Sequence, residues 1–172
     1  MPPISVPSGD PDPTTSRAEQ TSDAVQAFFQ RPLFLSLTIG IPFCLFKLLF
    51  GLVAIRFGTD SGTILATAGW LITGWAGADL LMNSGRILFD LAGRQAGFEY
   101  CTIAQIGRFF RHPLIFLAVD TLLTFSIICT MLWSGWIAHL TQFESYLWYG
   151  ATTLNLISLS LVSIYHEIRA EK

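Results

Sequence analysis

The chain of 172 residues is 52% hydrophobic and only 13% charged, and its net charge is -2. Average soluble domains carry about 25% charged residues, so this chain has too few charges to cover a water-facing surface. The slightly acidic balance also excludes a broad basic surface for nucleic acid. We therefore expect a membrane protein that has no nucleic-acid partner.

The N-terminal region differs in composition from the rest of the chain. Residues 1–24 are rich in Pro, Ser, Thr and Asp. They hold too few apolar side chains to offset the entropy lost on ordering, so we predict a disordered cytoplasmic tail. Residues 25–32 place two phenylalanines beside Arg31, a combination typical of a segment at the membrane interface.

Four long apolar runs follow, and each is long enough to cross the hydrocarbon core as a helix, which takes about 20 residues. Short connections between consecutive spans favour antiparallel neighbours. The sequence therefore predicts an all-α integral membrane protein, a four-helix bundle of two antiparallel transmembrane hairpins. The predicted spans, one to four, are residues 33–55, 63–83, 114–138 and 146–165.

The basic residues predict the orientation of these spans. Eight Lys or Arg side chains lie in the N-terminal region, in the link 84–113 and in the tail 166–172, whereas the opposite side has only Arg56. Basic residues near span ends remain in the cytoplasm. We therefore expect both termini and the link to be cytoplasmic, in a plasma or inner membrane.

The link is predicted to be amphipathic. Asp79, Asn83, Arg86, Asp90 and Arg94 fall on one helical face, so span two should continue toward Arg94, with a bend or break near Gly85. Arg86 with Asp90, and Asp90 with Arg94, have the spacing of i,i+4 ion pairs. This face is either solvated at the membrane surface or a partner or lipid-headgroup face formed by Arg86, Asp90 and Arg94.

A second helix is predicted later in the link. Ile103, Ile106, Phe109 and Phe110 recur at helical spacing just before Pro113. Apolar and aromatic side chains in this pattern are typical of a helix that lies in the interface. The link should therefore contain a short interfacial helix before span three.

Lys47 is a charge inside span one. If this span ends at Ile55, Lys47 lies about 13 Å below its outer end, where a charge costs about 2.5–3.5 kcal/mol. Gly40, Cys44 and Gly51 share its helical face, so Lys47 should point between helices. Thr73, Thr130 and Asn155 lie at similar depth and are its predicted partners. Whether Lys47 is functional or only tolerated stays open.

Asp79 and Asp120 form a second polar layer. The helical rise per residue places them about 24–27 Å below the outer ends of spans two and three. That depth predicts no direct contact with Lys47. Asp120 lies near its helix start, where the helix dipole favours an anion. Lys47, Asp79, Asp120 and Asn155 are thus the candidate intramembrane polar sites.

No motif in the sequence predicts a catalytic, cofactor or metal site, so we expect a non-enzymatic protein with no cofactor. Small residues in spans one and two, among them Ala66, Gly69, Thr73 and Gly77, allow close helix contact within the chain or with another chain. The first hypothesis is an interaction or accessory subunit that binds other membrane proteins or itself within the bilayer. The alternative is an oligomeric ion or small-solute channel or transporter using Lys47 and Asp79/Asp120.

Overall fold

The computed structural model describes residues 32–94 and 97–170. The predicted tail 1–24, and the interfacial segment 25–32 except its last residue, lie outside the described residues. The described elements are the helices α1 Pro32–Leu35, a π-helical turn Ser36–Gly40, α2 Ile41–Ser61, α3 Thr63–Leu91, α4 Thr102–Phe109, α5 Pro113–Trp133, a 3-10 turn Trp136–His139 and α6 Gln142–Ala170.

Four helical segments are long and apolar enough to cross a membrane. They are Ser36–Thr59, Thr63–Leu91, Pro113–Trp133 and Gln142–Ile164. For the described residues, the prediction of an all-helical chain with four candidate spans is confirmed. The structure therefore fits a multi-pass membrane protein.

The turn between α2 and α3 is much shorter than predicted. α2 continues past Ile55 to Ser61, and α3 begins at Thr63. Gly62 alone separates the helices and has a φ of 142°, which glycine adopts without a Cβ clash. The predicted end of span one at Ile55 is thus too early, because the helix continues through Arg56 and its polar neighbours.

α3 remains helical through Gly85 as far as Leu91, so the helix is not broken near Gly85; the alternative, a bend there, stays a prediction. Phe98 of the link packs against Gly85, where an added Cβ would lie 3.1 Å from the phenylalanine ring. The glycine accommodates a neighbouring ring rather than interrupting the helix. A helix, α4, is present where the sequence predicted one in the link; Ile106 and Phe109 are exposed on it, and Phe110 is exposed directly after it. Its position at the membrane interface stays a prediction.

The last two long helices also begin and end at positions different from those predicted. α5 ends at Trp133, because Gly135 adopts a left-handed φ of 73° two residues later. α6 begins at Gln142, earlier than predicted. Thr141 and Glu144 form a reciprocal cap: Thr141 N–H donates to Glu144 Oε2 (2.8 Å), and Glu144 N–H donates to Thr141 Oγ1 (3.3 Å).

α2 is the central helix. Half of its candidate membrane span is buried, against 17% for each of the other three. In the half of the helices remote from the link, an apolar core joins α2 to α5 and α6. Its buried members are Phe46, Leu49, Val53, Met131, Trp148 and Ala151. At the same end, Arg56 donates to Glu144 at 2.8 Å.

Candidate functional site

A charged triad lies among the candidate spans. Lys47 Nζ of α2 donates to Asp79 Oδ2 of α3 at 2.6 Å and to Asp120 Oδ1 of α5 at 2.8 Å. The three residues are only 1%, 0% and 4% exposed. Three helices therefore direct one ammonium and two carboxylates to a single buried point.

This contact corrects the prediction that Lys47 lies too far from the aspartates. Because α2 ends at Ser61 rather than Ile55, Lys47 lies about 21 Å from the helix end. Asp79 lies about 24 Å from the start of α3, and Asp120 about 20 Å from the end of α5. The three residues thus share one level. Helical side chains tilt toward the N-terminus, which directs the Lys47 stem toward the level of Asp79.

Asp120 is not primarily a helix-dipole residue. It lies about 11 Å along the helix from its first residue, Pro113, whereas the effect of the dipole falls off within the first turn. The buried ammonium of Lys47 is its charged partner. The predicted dipole explanation for Asp120 is therefore wrong.

Asp79 also holds the link in place. Its Oδ1 accepts from the backbone N–H of Thr102 at 2.6 Å and from the Thr102 hydroxyl at 2.5 Å. Thr102 is the first residue of α4, where backbone N–H groups lack helical partners. Asp79 therefore connects α2, α3 and the start of α4 through its two oxygens.

Asn83 lies one turn from Asp79 and joins the same network. Its Nδ2 donates to Asp79 O at 3.0 Å and to Tyr100 O at 2.8 Å. The side chain lies against Gly40, which has no Cβ to displace it. Its Oδ1 is buried without a hydrogen-bond partner in the described part of the chain. A buried acceptor left in this state is costly unless water or a ligand reaches it.

Arg86 is directed to the link and not to Asp90. Its guanidinium donates to Phe98 O and lies 3.8 Å from the centroid of the Tyr100 ring. None of the ion pairs among the described residues joins Arg86 to Asp90 or Asp90 to Arg94, so the predicted i,i+4 pairs are wrong. Of the predicted partner or headgroup face, Asp90 is half-buried and Arg94 is exposed.

The predicted partners of Lys47 lie elsewhere. The Thr73 side chain lies beside Gly51, and its Oγ1 is buried without a hydrogen-bond partner among the residues described. Thr130 is exposed and donates to Ser126 O. Asn155 lines a second cavity, of about 520 Å³, which is formed mainly by α2, α5 and α6. These positions share a depth with Lys47 but face other neighbours, because depth alone does not fix the direction of a helical side chain.

A smaller cavity of about 170 Å³ adjoins the triad. It is lined by all three triad residues and by Cys44, Asn83 and Cys101, among others. Its wall is mainly apolar, and the polar atoms of the triad and of Asn83 are the places where water can bind. Burial raises the pKa of the Cys101 thiol to about 12, so the thiol is neutral at physiological pH.

Several neighbours of the triad were not predicted from the sequence. Thr102, Tyr100 and Cys101 reach it because the link folds back onto α3. Trp75 places its ring 4.3 Å from Lys47 Nζ, in a cation–π contact. Thr102 directly precedes Ile103, Ile106 and Phe109, whose spacing predicts a helix, so the sequence gives a signal for a helix start there. The other contacts have no signal in the local sequence.

The small residues of α2 and α3 pack against each other. A Cβ on Gly69 would lie 2.7 Å from Ile55 N and 2.8 Å from Gly51 O, and Gly58 lies against Ala66. The predicted stripe is therefore used within the chain at Ala66, Gly69 and Thr73, whereas a Cβ added to Gly77 would point into open space.

Comparison of the chain with protein-family models, with curated proteins and with solved structures gives no match.

Proposed function

We propose that this multi-pass membrane protein is an ion or small-solute channel or transporter that works as an oligomer through Lys47, Asp79 and Asp120. The observation that carries the proposal is the buried triad with a cavity beside it. Ionisable residues inside a membrane are costly, and they typically mark ion pathways and proton relays.

Stability alone is a poor reason to keep such a triad. A buried ion pair loses much of its Coulomb attraction to desolvation, and well-packed apolar replacements are often neutral or stabilising. Here two carboxylates also face one ammonium. The surplus negative charge adds to the cost of burial. A role in binding or moving ions therefore explains the triad better than stability does.

The proposed surroundings of the site follow from the distribution of basic residues. Eight of them lie on the side of the termini and the link, and this bias favours cytoplasmic termini in a plasma or inner membrane. The proposal includes a bundle of two antiparallel hairpins.

With cytoplasmic termini, the link residues Tyr100 and Cys101 border the cavity from the cytoplasmic half, and the apolar core around Leu49 and Val53 closes the outer half.

Flux through liposomes tests the proposal. We expect wild-type protein to raise proton or alkali-ion flux above that of empty liposomes, and Lys47→Ala and Asp120→Asn to return it to background. Arg56→Ala is the matched control, because it removes an exposed ion pair of the same helix, a kind of contact worth about 0–1 kcal/mol. Wild-type flux equal to that of empty liposomes, or full activity of folded Lys47→Ala, would contradict the proposal.

The second candidate is a non-enzymatic interaction or accessory subunit of a membrane assembly. Asn155 favours it: its side chain lines the 520 Å³ cavity and makes no hydrogen bond with the described residues. An unpaired amide in an apolar medium costs several kcal/mol on water-to-hydrocarbon scales, and Asn side chains hydrogen-bond across membrane helices. A helix of a second copy or of another membrane protein would supply the missing partner.

Replacing Asn155 by leucine tests this candidate. We expect the purified complex to lose mass, as measured by light scattering corrected for detergent, because the interhelical hydrogen bond is lost. Ser160→Leu is the control, since Ser160 is exposed on the same helix and lies outside the cavity. A wild-type protein that is strictly monomeric, with no co-purifying membrane protein, would remove this candidate.

A further inference from the structure

We infer that the proton is the species this site carries, and that Asp120 is the carboxylate that takes it up and releases it, whereas Asp79 is a fixed structural carboxylate. The inference rests on the proposed transport function and names its substrate. The exchange is balanced: the Asp120 carboxylate accepts one proton from cavity water to become a neutral carboxylic acid, and returns it to water.

The first argument is the charge of the triad. With all three groups ionised, two carboxylates and one ammonium leave one negative charge in a place that is at most 4% exposed. Burying an uncompensated charge is far more costly than burying a paired one. One bound proton makes the triad neutral, so the site has a physical reason to take up a single positive charge.

The second argument is that the two carboxylates are held differently. Asp79 accepts three strong hydrogen bonds, one from Lys47 and two from Thr102, and both of its oxygens are occupied. Asp120 accepts one, from Lys47. Hydrogen bonds to a carboxylate favour its charged form. The proton therefore goes to Asp120.

The third argument is that water can reach Asp120. Asp120 and Asn83 line the same cavity, and the 2% exposed Asn83 has an Oδ1 without a hydrogen-bond partner among the described residues. Buried waters typically bind such orphan groups. A water that donates to Asn83 Oδ1 would occupy this cavity, where it can exchange a proton with Asp120.

The remaining titratable groups around the cavity come from three elements. α2 contributes Lys47 and Cys44, α3 contributes Asp79, and the link contributes Tyr100 and Cys101. Within the described chain, α6 contributes no residue to this lining. Both oxygens of Asp79, the other carboxylate, already accept hydrogen bonds from Lys47 and Thr102, and the Cys101 thiol is neutral at physiological pH. Asp120 is therefore the exchangeable carboxyl of the cavity.

Carbodiimide labelling tests the inference. Dicyclohexylcarbodiimide modifies protonated carboxyl groups in apolar surroundings, and peptide mass spectrometry locates the adduct. We expect the full-length protein in detergent to be labelled at Asp120 at acidic pH, with progressive loss of the adduct as the pH rises. Asp120→Asn should abolish that adduct, and Asp90→Asn, which changes a carboxyl outside the cavity, should preserve it.

The following outcomes would overturn the inference. Absence of the Asp120 adduct at every pH, or equal labelling of Asp79, would remove the assignment. Protection of Asp120 by sodium chloride but not by choline chloride at constant pH would identify sodium as the bound cation instead. The labelling is independent of transport. An Asp120 adduct without liposome flux would preserve the proton site and contradict the transport function. Liposome flux without an Asp120 adduct would preserve the transport function and contradict the proton site.

Discussion

Replacing Lys47 by leucine is expected to destabilise the protein by about 3–5 kcal/mol, the usual cost of leaving a buried charged partner uncompensated. Asp79 and Asp120 are at most 4% exposed, and both depend on the same ammonium. Leucine fills much of the volume of the lysine stem but offers no hydrogen-bond donor. The measurement is the free energy of unfolding in mixed micelles. Acidification should reduce the loss, because a protonated carboxyl carries no charge.

Two companion variants separate loss of charge compensation from loss of packing. The triple variant Lys47→Leu, Asp79→Asn, Asp120→Asn removes all three charges, and the amide that Asp79→Asn introduces keeps an oxygen for the Thr102 N–H. It should recover part of the stability that Lys47→Leu loses. Arg56→Leu breaks an exposed pair and should stay within about 1 kcal/mol of wild type. Equal stability of Lys47→Leu and wild type would show that the ion pairs contribute nothing.

The four candidate spans could be predicted from sequence because they depend on local composition. A run of about 20 apolar residues satisfies its own backbone hydrogen bonds as a helix and buries its side chains in lipid. The helix α4 was predictable for a similar reason, since Ile103, Ile106 and Phe109 have helical spacing. These features require no knowledge of which helices are neighbours.

The triad could not be predicted, because its geometry depends on where a helix ends. The apolar run of span one stops at Arg56, but α2 continues through polar residues to Ser61. Arg56 is accommodated there by Glu144, which lies far away in sequence. The six extra helical residues increase the distance of Lys47 from the helix end by about 9 Å. This difference explains why the sequence predicted no contact and the structure has an ion pair.

The contacts of the link were likewise beyond local reasoning. The spacing of Arg86 and Asp90 is favourable for an ion pair on an isolated helix. In the folded chain, the carbonyl of Phe98 and the ring of Tyr100 compete for the same guanidinium. An exposed i,i+4 pair contributes only about 0.3–0.5 kcal/mol, so contacts formed by the returning link outweigh it.

Replacing Gly69 by leucine is expected to destabilise the protein by about 2–3 kcal/mol, in the upper part of the range for overpacking. A Cβ at this position would lie 2.7 Å from Ile55 N and 2.8 Å from Gly51 O, and backbone atoms cannot rotate away. α2 and α3 must therefore separate. The same two helices carry Lys47 and Asp79, so liposome flux should fall together with stability.

Gly74→Leu is the matched control because it makes the same change on the same helix. Gly74 is exposed, and a Cβ added there would point into open space. Replacing a glycine in a helix interior removes a cost of up to about 1 kcal/mol, so Gly74→Leu should be at least as stable as wild type, and flux should be retained. Unfolding in mixed micelles compares the two variants directly. Because helix propensity changes equally in both, a difference between them reports the α2–α3 contact, and its absence would show that these helices are not held together through Gly69.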